Sequence, residues 1–453
     1  MTLDSLLSAP KRIHFIGVGG SGIFPLVQIL RGRGHTIQGS DNNPGDNIEM
    51  EKKMGVTVYM GHKAEQVNGA HLVIYSAAIM QDNPELVAAR EQGIPVFERA
   101  QVLSWLSGKY GDCVCVSGSH GKTTVTAMLS HILISAGLDP TCVIGGKLPL
   151  INGSGRAGGS PIMVVEACEY KDTFLSLHSD VSIILNVDAD HLEYFGDLDG
   201  VIRSFNKFAR GTSRLIIACG DDINTKAALA GAEKEVLTFG LDPGNDYIAE
   251  NIEIIEPTRQ EFDLTFRGEK LARICLRIPG RHNILNALAA CAGALAVGAT
   301  PQQLEQTVPG FRGAGRRFEI LGKVRGITIA DDYAHHPAEL AATLEVAMQM
   351  GYNQVWAVFQ PFTYSRTKHF LDEFAQALKI PQKAVMSAIM GGREHNTYGV
   401  ETKDLAVKIP GSVWFETFEE IAAYVMQNAQ EGDLVLTMGC GDVYKCAKMM
   451  LNA

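Results

Sequence analysis

The chain lacks the cysteine patterns that build metal or disulfide centres. Its nine cysteines are scattered over 453 residues, with no C-x-x-C pair and no disulfide framework. Such usage suits a reducing compartment, so a cytoplasmic protein is expected. Excess basic charge is missing as well: 40 Lys and Arg stand against 50 Asp and Glu, a net charge of −10. That balance argues against nonspecific nucleic-acid binding, which needs clustered cations to displace counterions. It leaves room for a local cationic pocket. The N-terminal stretch "MTLDSLLSAPKR" carries Asp4 and has no apolar signal core. One uncharged stretch, Asn283 to Leu304, consists largely of Ala, Gly and Asn and holds a Pro near its end. A buried helix fits it better than a membrane span, which wants about 20 strongly apolar residues. No repeat of fixed period is visible.

What is present is a series of short apolar runs, each followed by a glycine turn and a helical pattern. They include "RIHFIGVGG", "HLVIYSAAI", "CVCVSGSHG", "IMVVEACE", "VSIILNVDADH", "LIIACGDD", "QVWAVFQP" and "DLVLTMGCGD". Strands alternating with helices imply an α/β fold with parallel sheets covered on both faces. With 46% apolar and 20% charged residues, the chain can bury several cores. Cys113 and Cys115 alternate along one run and are expected on one face of a buried strand. Gly-rich breaks at "LSGKYGD" and "VPGFRGAGRR" divide the chain into three expected domains, 1–108, 109–312 and 313–453. Between "YIAENIEII" and "LRIPG" the pattern is one of short hairpin strands, an insertion in the middle domain.

The first glycine loop, "FIGVGGSG", places Gly17, Gly19 and Gly22 in G-x-G-x-x-G, with Gly20 and Ser21 between them. A strand precedes it and the helical pattern "IFPLVQILRGRG" follows. Asp41 lies at the end of the next strand pattern, "HTIQGSD". This is the dinucleotide fingerprint: glycines for a tight turn, amides and a helix dipole at a diphosphate, an acid at a ribose. The same physics serves any diphosphate, so the motif does not choose NAD. A plain glycine-tight turn would share the pattern.

A second loop, "CVCVSGSHGKTTVTAML", resembles a shortened phosphate loop. Gly121, Lys122 and Thr123 match the end of G-x-x-x-x-G-K-[ST], but Val116 occupies the first glycine position and Gly118 follows two residues later. Gly118, Ser119, His120, Gly121, Lys122, Thr123 and Thr124 are the candidate phosphate-binding residues. Amides at the helix start would cradle phosphate oxygens, Lys122 would supply charge, and the Thr123 hydroxyl could bind Mg²⁺. Further ligands could come from two strand ends, Glu166 in "VVEACEY" and His191 in "NVDADHLEYF". A helix-capping acid and a satisfied loop histidine are the alternatives.

Downstream, His282, Asn283 and Asn286 open an Ala-rich helical pattern, where Asn is normally a cap but two on one face could reach a ligand. Arg316 and Arg317 sit in the turn "GAGRRFEI", as a surface salt bridge or as a guanidinium fork over a phosphoryl group. "IADDYAHHPAEL" brings Asp331, Asp332, His335 and His336 to a strand end before a Pro-initiated helix. Its acids are adjacent and no thiolate joins them, so a zinc site is not expected there.

In this order, "GVGGSG", "GSHGKTT", "EACEY", "DADH", "GRHNILNA", "GAGRRFE", "DDYAHHP" and "FQPFTYSRT" resemble the Mur ligase family over nearly the whole chain. Its members are ATP-dependent amide ligases of bacterial cell-wall synthesis. The motifs lie nearest the member that adds the first amino acid of the peptide stem. The resemblance implies an N-terminal Rossmann-like domain for a UDP-sugar, a central P-loop ATPase-like domain with a small β insertion, and a C-terminal Rossmann-like domain that closes. The family loop is G-x-x-G-K-T-[TS], which makes Val116 a family trait.

Carried over by motif, Lys122 would hold ATP phosphates, and Thr123, Glu166 and His191 would bind Mg²⁺. His282, Asn283 and Asn286 would contact the nucleotide, with Arg317 and Asp332 completing its site. Tyr333, His335 and Arg366 would lie near the amino acid, and the first glycine loop, with Asp41 and Ser76, would hold the UDP-sugar. Lys122, Glu166, His191, Arg317 and His335 would serve catalysis. Ser119 departs from the usual Thr, and Phe362 stands where members often have His, which bears on amino-acid choice. The implied substrates are ATP, UDP-N-acetylmuramate and L-alanine, joined through an acyl phosphate. Neither nucleic acid nor a membrane span is expected, and the protein would be a monomer or homodimer. Two rivals remain: a sister ligase that attaches a preformed tripeptide, and an NAD-dependent oxidoreductase built on the first glycine loop.

Overall fold

The computed structural model describes residues 2–392 and 394–453, with residue 193 described by its backbone. Three sheets form along the chain, giving the α/β architecture three sheet-containing domains. The first holds β1 (Arg12–Ile16), β2 (Thr36–Asp41), β3 (Thr57–Met60), β4 (Leu72–Tyr75) and β5 (Val96–Glu98). Its order is β3-β2-β1-β4-β5, with every pair parallel.

The second sheet holds β6 (Asp112–Ser117), β7 (Thr141–Leu148), β8 (Gly153–Arg156), β9 (Ile162–Glu166) and β10 (Val181–Ile184). It continues with β11 (Leu215–Cys219), β12 (Glu235–Gly240), β13 (Tyr247–Glu256), β14 (Arg259–Phe266) and β15 (Glu269–Leu276). Their order is β15-β14-β13-β12-β11-β10-β6-β9-β7-β8. The third sheet holds β16 (Glu319–Val324), β17 (Ile327–Asp332), β18 (Val355–Phe359), β19 (Lys383–Ser387), β20 (Val413–Phe415) and β21 (Leu434–Met438). It runs β16-β17-β21-β18-β19-β20, parallel except for the β16–β17 pair.

Two compact units result. One holds the chain through Glu253 with Glu261–Arg277 and His282–Arg312; the other holds Gly313–Ala453 with Ile254–Gln260 and Ile278–Arg281.

In the first unit, strand order reverses between β1 and β4 and again around β6. Open parallel sheets bind ligands at such switch points, beyond the carboxyl ends of the strands. The apolar runs fold as strands because both of their faces are covered. In β6, Cys113 to Ser117 are all buried, and the Cys113 and Cys115 sulfurs lie on one side, 3.9 Å apart. The uncharged stretch forms the buried helix His282–Ala296, followed after a break by Pro301–Thr307. A methyl group on Gly293 would meet Ile183 at 2.7 Å and Leu129 at 3.3 Å, so glycine lets this helix close on β10 and on the helix Lys122–Ser135. No described helix is long and apolar enough to cross a membrane.

Candidate active site

The first glycine loop turns between β1 and the helix Phe24–Gly32. Gly17 takes φ +80°, a left-handed conformation open to glycine, and its amide and that of Val18 donate to the Ser40 carbonyl at 2.8 and 3.0 Å. Gly19 donates to the Asp41 carboxylate at 3.0 Å, so the acid at the end of β2 is held against the loop. Gly20 donates to Gly17, and Ser21 and Gly22 are exposed. Ser76, at the end of β4, faces Gly17: a methyl group there would lie 3.4 Å from its Cβ. The seven expected residues therefore lie on or beside one loop at the carboxyl ends of β1, β2 and β4.

The shortened phosphate loop follows β6. Gly121 caps the helix Lys122–Ser135 at φ +87°, and Gly118 takes φ +147°. Two groups from beyond β10 fasten the loop. The His120 amide donates to the Asn186 side chain at 2.8 Å, and the Asp188 amide donates to Ser119 Oγ at 2.8 Å. Thr123 and Thr124 lie buried in the first helical turn. The helix His282–Ala296 reaches the same loop: a methyl group on Gly121 would sit 2.8 Å from Asn286 Oδ1. Asn286 in turn donates to Asn283 Oδ1 at 2.9 Å, with exposed His282 at the helix start.

Lys122 folds back to donate to the carbonyls of Gly118 and Ser119 and pairs with Glu169 at 2.9 Å. Burial opposes its charge, but the Glu169 carboxylate, with Cys168 and Glu166 nearby, pushes the ammonium up to about 12. Glu166 closes β9; it accepts from the Thr123 hydroxyl at 3.0 Å and from the Gly145 amide at 2.7 Å. His191 takes φ +55° and groups with Glu169 and Asp190, their ligand atoms within 4.8 Å of one another. The expected metal set thus divides between a Thr123–Glu166 pair and a His191 group. Hard oxygen donors in both suit Mg²⁺.

Sequence reading missed Glu169, Asn186, Asp188 and Asp190. Glu169, Asp188 and Asp190 lie within three residues of Glu166 or His191, and Asn186 lies five before His191, in "EACEY" and "NVDADH". That proximity was the available signal.

In the second unit the two adjacent arginines take different work. Arg316 donates to Asp331 at 2.7 Å and to the carbonyls of Gly439 and Gly441 at 2.6 and 3.2 Å, which ties β17 to the turn after β21. Arg317 lies over the Tyr333 ring, 5.4 Å from its centre. Buried Asp332 accepts amides of Phe318 and Ala334, each at 2.7 Å. Burial pushes it up to about 6, against the pull of Arg317. His335 shares its Nδ1 between the Tyr333 carbonyl at 3.0 Å and Glu339 at 3.3 Å. Burial lowers its pKa; Glu339 opposes that shift, while Arg366 and Arg317 add to it. Arg317, Asp332, Tyr333, His335 and Arg366 therefore belong to one neighbourhood. Phe362 and Thr363 border Gly392, where a methyl group would meet them at 3.5 and 3.4 Å.

A loop of phosphate-binding pattern at the end of one parallel strand and a glycine loop of diphosphate-binding pattern at the end of another fit a nucleotide-dependent α/β enzyme. Three family descriptions match in succession: "Mur ligase family, catalytic domain" over residues 12–110, "Mur ligase middle domain" over 116–294, and "Mur ligase, glutamate ligase domain" over 316–441. The chain belongs to the Mur ligase family, whose members are ATP-dependent. It is 42% identical over 448 residues to the UDP-N-acetylmuramate–L-alanine ligase of Caldanaerobacter subterraneus subsp. tengcongensis, covering 98% of this chain and 97% of that one. The ligase of the same name from Acetivibrio thermocellus is 41% identical, with 98% and 96% covered. Among solved structures, UDP-N-acetylmuramate-alanine ligase MurC from Thermotoga maritima superposes with a TM-score of 0.84 at 26% identity, covering 98% of each chain.

Proposed function

We propose that the protein joins L-alanine to the lactyl carboxylate of UDP-N-acetylmuramate, using ATP and releasing ADP and phosphate. The observation that carries this reading is the pair of loops in one unit: Lys122, paired with Glu169, in the loop after β6, and a separate diphosphate-type loop after β1. An oxidoreductase would use the glycine loop after β1 and leave the phosphate loop of Lys122 without a task. Relatives bearing the L-alanine ligase name match along the full chain, which favours L-alanine over a preformed tripeptide as the amine.

A carboxylate is a poor electrophile because its leaving group would be oxide. Attack of a lactyl oxygen on the ATP γ-phosphorus breaks the bond to ADP and forms an acyl phosphate. The alanine amine then attacks the carbonyl carbon, and phosphate departs with one of the original carboxylate oxygens.

Lys122 leaves Glu169 for the phosphates and offsets their charge, as does Arg317. Thr123, Glu166 and His191, joined by Glu169 and Asp190, would hold Mg²⁺. Bound there, the ion would stabilise charge developing on the phosphoryl oxygens. Asn283, Asn286 and Asp332 contact the nucleotide, and Tyr333 and Arg366 hold the amino acid. His335, kept neutral by burial, takes a proton from the alanine ammonium.

Scattered cysteines without a disulfide framework support a cytoplasmic enzyme acting on small molecules, which we read as a monomer or homodimer. The test is phosphate release with ATP, Mg²⁺ and UDP-N-acetylmuramate, comparing L-alanine, glycine, L-serine and the tripeptide. Release with L-alanine is expected. Release with the tripeptide alone would assign the chain to the sister ligase, and no release with any amine would overturn the reading.

A further inference from the structure

Arg99 sits over the first glycine loop in a place no motif explains. It is the first residue of the helix Arg99–Ser107, directly after β5. A methyl group on Gly22 would meet Arg99 Cδ and Nε at 3.4 Å and Cζ at 3.5 Å. The guanidinium is therefore in contact with the last glycine of G-x-G-x-x-G, two residues before the helix Phe24–Gly32 begins.

That position is electrostatically poor for a cation. The amino end of a helix carries partial positive charge, and Arg99 stands at two such ends, its own helix and that of the loop. Among the described residues no hydrogen bond or ion pair engages its side chain. The acid beside it in sequence, Glu98, caps the helix Arg99–Ser107. Burial lowers the Arg99 pKa, with Cys168 and Glu98 only partly opposing it. A half-buried cation without a counter-ion carries a desolvation cost, and a bound anion would offset it.

We propose that Arg99 is a substrate-binding residue whose guanidinium pairs with oxygens of the diphosphate of the UDP-sugar at the Gly17–Gly22 loop. The inference rests on reading that loop as the UDP-sugar site. Diphosphate is favoured over the lactyl carboxylate because the contact is with Gly22 itself, whereas the carboxylate must reach the loop of Lys122. A guanidinium fork matches two phosphoryl oxygens, and the anion also satisfies both helix ends.

The experiment is calorimetric titration of the wild-type chain, Arg99→Gln and Arg99→Lys with uridine, UDP, UDP-N-acetylglucosamine and UDP-N-acetylmuramate. Unchanged ATP affinity in each variant serves as the folding control. Arg99→Gln is expected to weaken the three diphosphate ligands alike, by about 10- to 100-fold, and to leave uridine unchanged. Arg99→Lys should recover part of that loss. Equal affinity of wild type and Arg99→Gln for UDP overturns the proposal, and so does a loss confined to UDP-N-acetylmuramate, which would mark the carboxylate instead. A wild-type chain that binds none of the UDP ligands would overturn the reading of the loop, and the proposal with it.

Discussion

Glu51 offers a stability test whose sign and size both follow from its surroundings. It lies in the helix Asp46–Lys53, fully buried, with no hydrogen-bond partner at either carboxylate oxygen among the described residues. Burial, with the Asp41 carboxylate adding repulsion, pushes it from an ordinary 4.5 to about 8. The unfolded chain releases this proton near the ordinary value, while the folded chain keeps it to about pH 8. Between those limits the unfolded state binds fewer protons, so stability falls as pH rises. At about 1.4 kcal/mol per pH unit, the loss is about 3 kcal/mol at pH 7 and about 5 kcal/mol above pH 8. Glu51→Gln removes the titration. Urea unfolding of both chains from pH 5 to 9 should show near-equal stability at the acid end and a growing advantage for the variant toward pH 8. Parallel curves across that range would refute the reasoning.

Glu169→Gln should lower stability by about 3–5 kcal/mol, because it leaves Lys122 charged in a largely buried site. Saturating ATP should restore more stability to the variant than to the wild type, read from the urea midpoint. Gly121→Ala should cost about 1–3 kcal/mol and weaken ATP binding, since φ is +87° and the new methyl would press on Asn286. Gly137→Ala, also left-handed at φ +78° but in open space, is the comparison that isolates backbone strain and should leave ATP binding intact. For His335, the lowered pKa puts the acid limb of kcat/KM below pH 6.5, and His335→Ala should remove that limb. An unchanged kcat and pH profile in the variant would rule out a base role.

Much of the fold was legible because its strands are apolar runs bounded by glycine turns. Each of the eight runs quoted from the sequence contributes a strand, since full burial on both faces leaves a strong, short signal. Strand order was not legible: nothing local in "CVCVSGSHG" tells β6 to sit between β10 and β9. At the site, Lys122 and Gly121 were readable because the phosphate-loop pattern fixes their spacing within one turn. Glu169 was not, because its role depends on Lys122, 47 residues away in sequence. Arg316 and Arg317 look interchangeable in "GAGRRFEI"; both guanidiniums lie over the Tyr333 ring, and what sets Arg316 apart is its hold on Asp331 and the Gly439 and Gly441 carbonyls. Glu51 sits in a mostly polar helix, and its isolation appears only when the first sheet closes over it. Asp41 read as a ribose acid; in the structure its carboxylate accepts the Gly19 amide.

The central claim is that the shortened loop activates a carboxylate by phosphorylating it. UDP-N-acetylmuramate labelled with ¹⁸O in both carboxylate oxygens, turned over with ATP, Mg²⁺ and L-alanine, tests this most directly. Mass spectrometry of the released phosphate should find one ¹⁸O per molecule, carried over when the amine displaces the acyl phosphate. Phosphate free of label, with amide formed at the normal rate, would contradict the account.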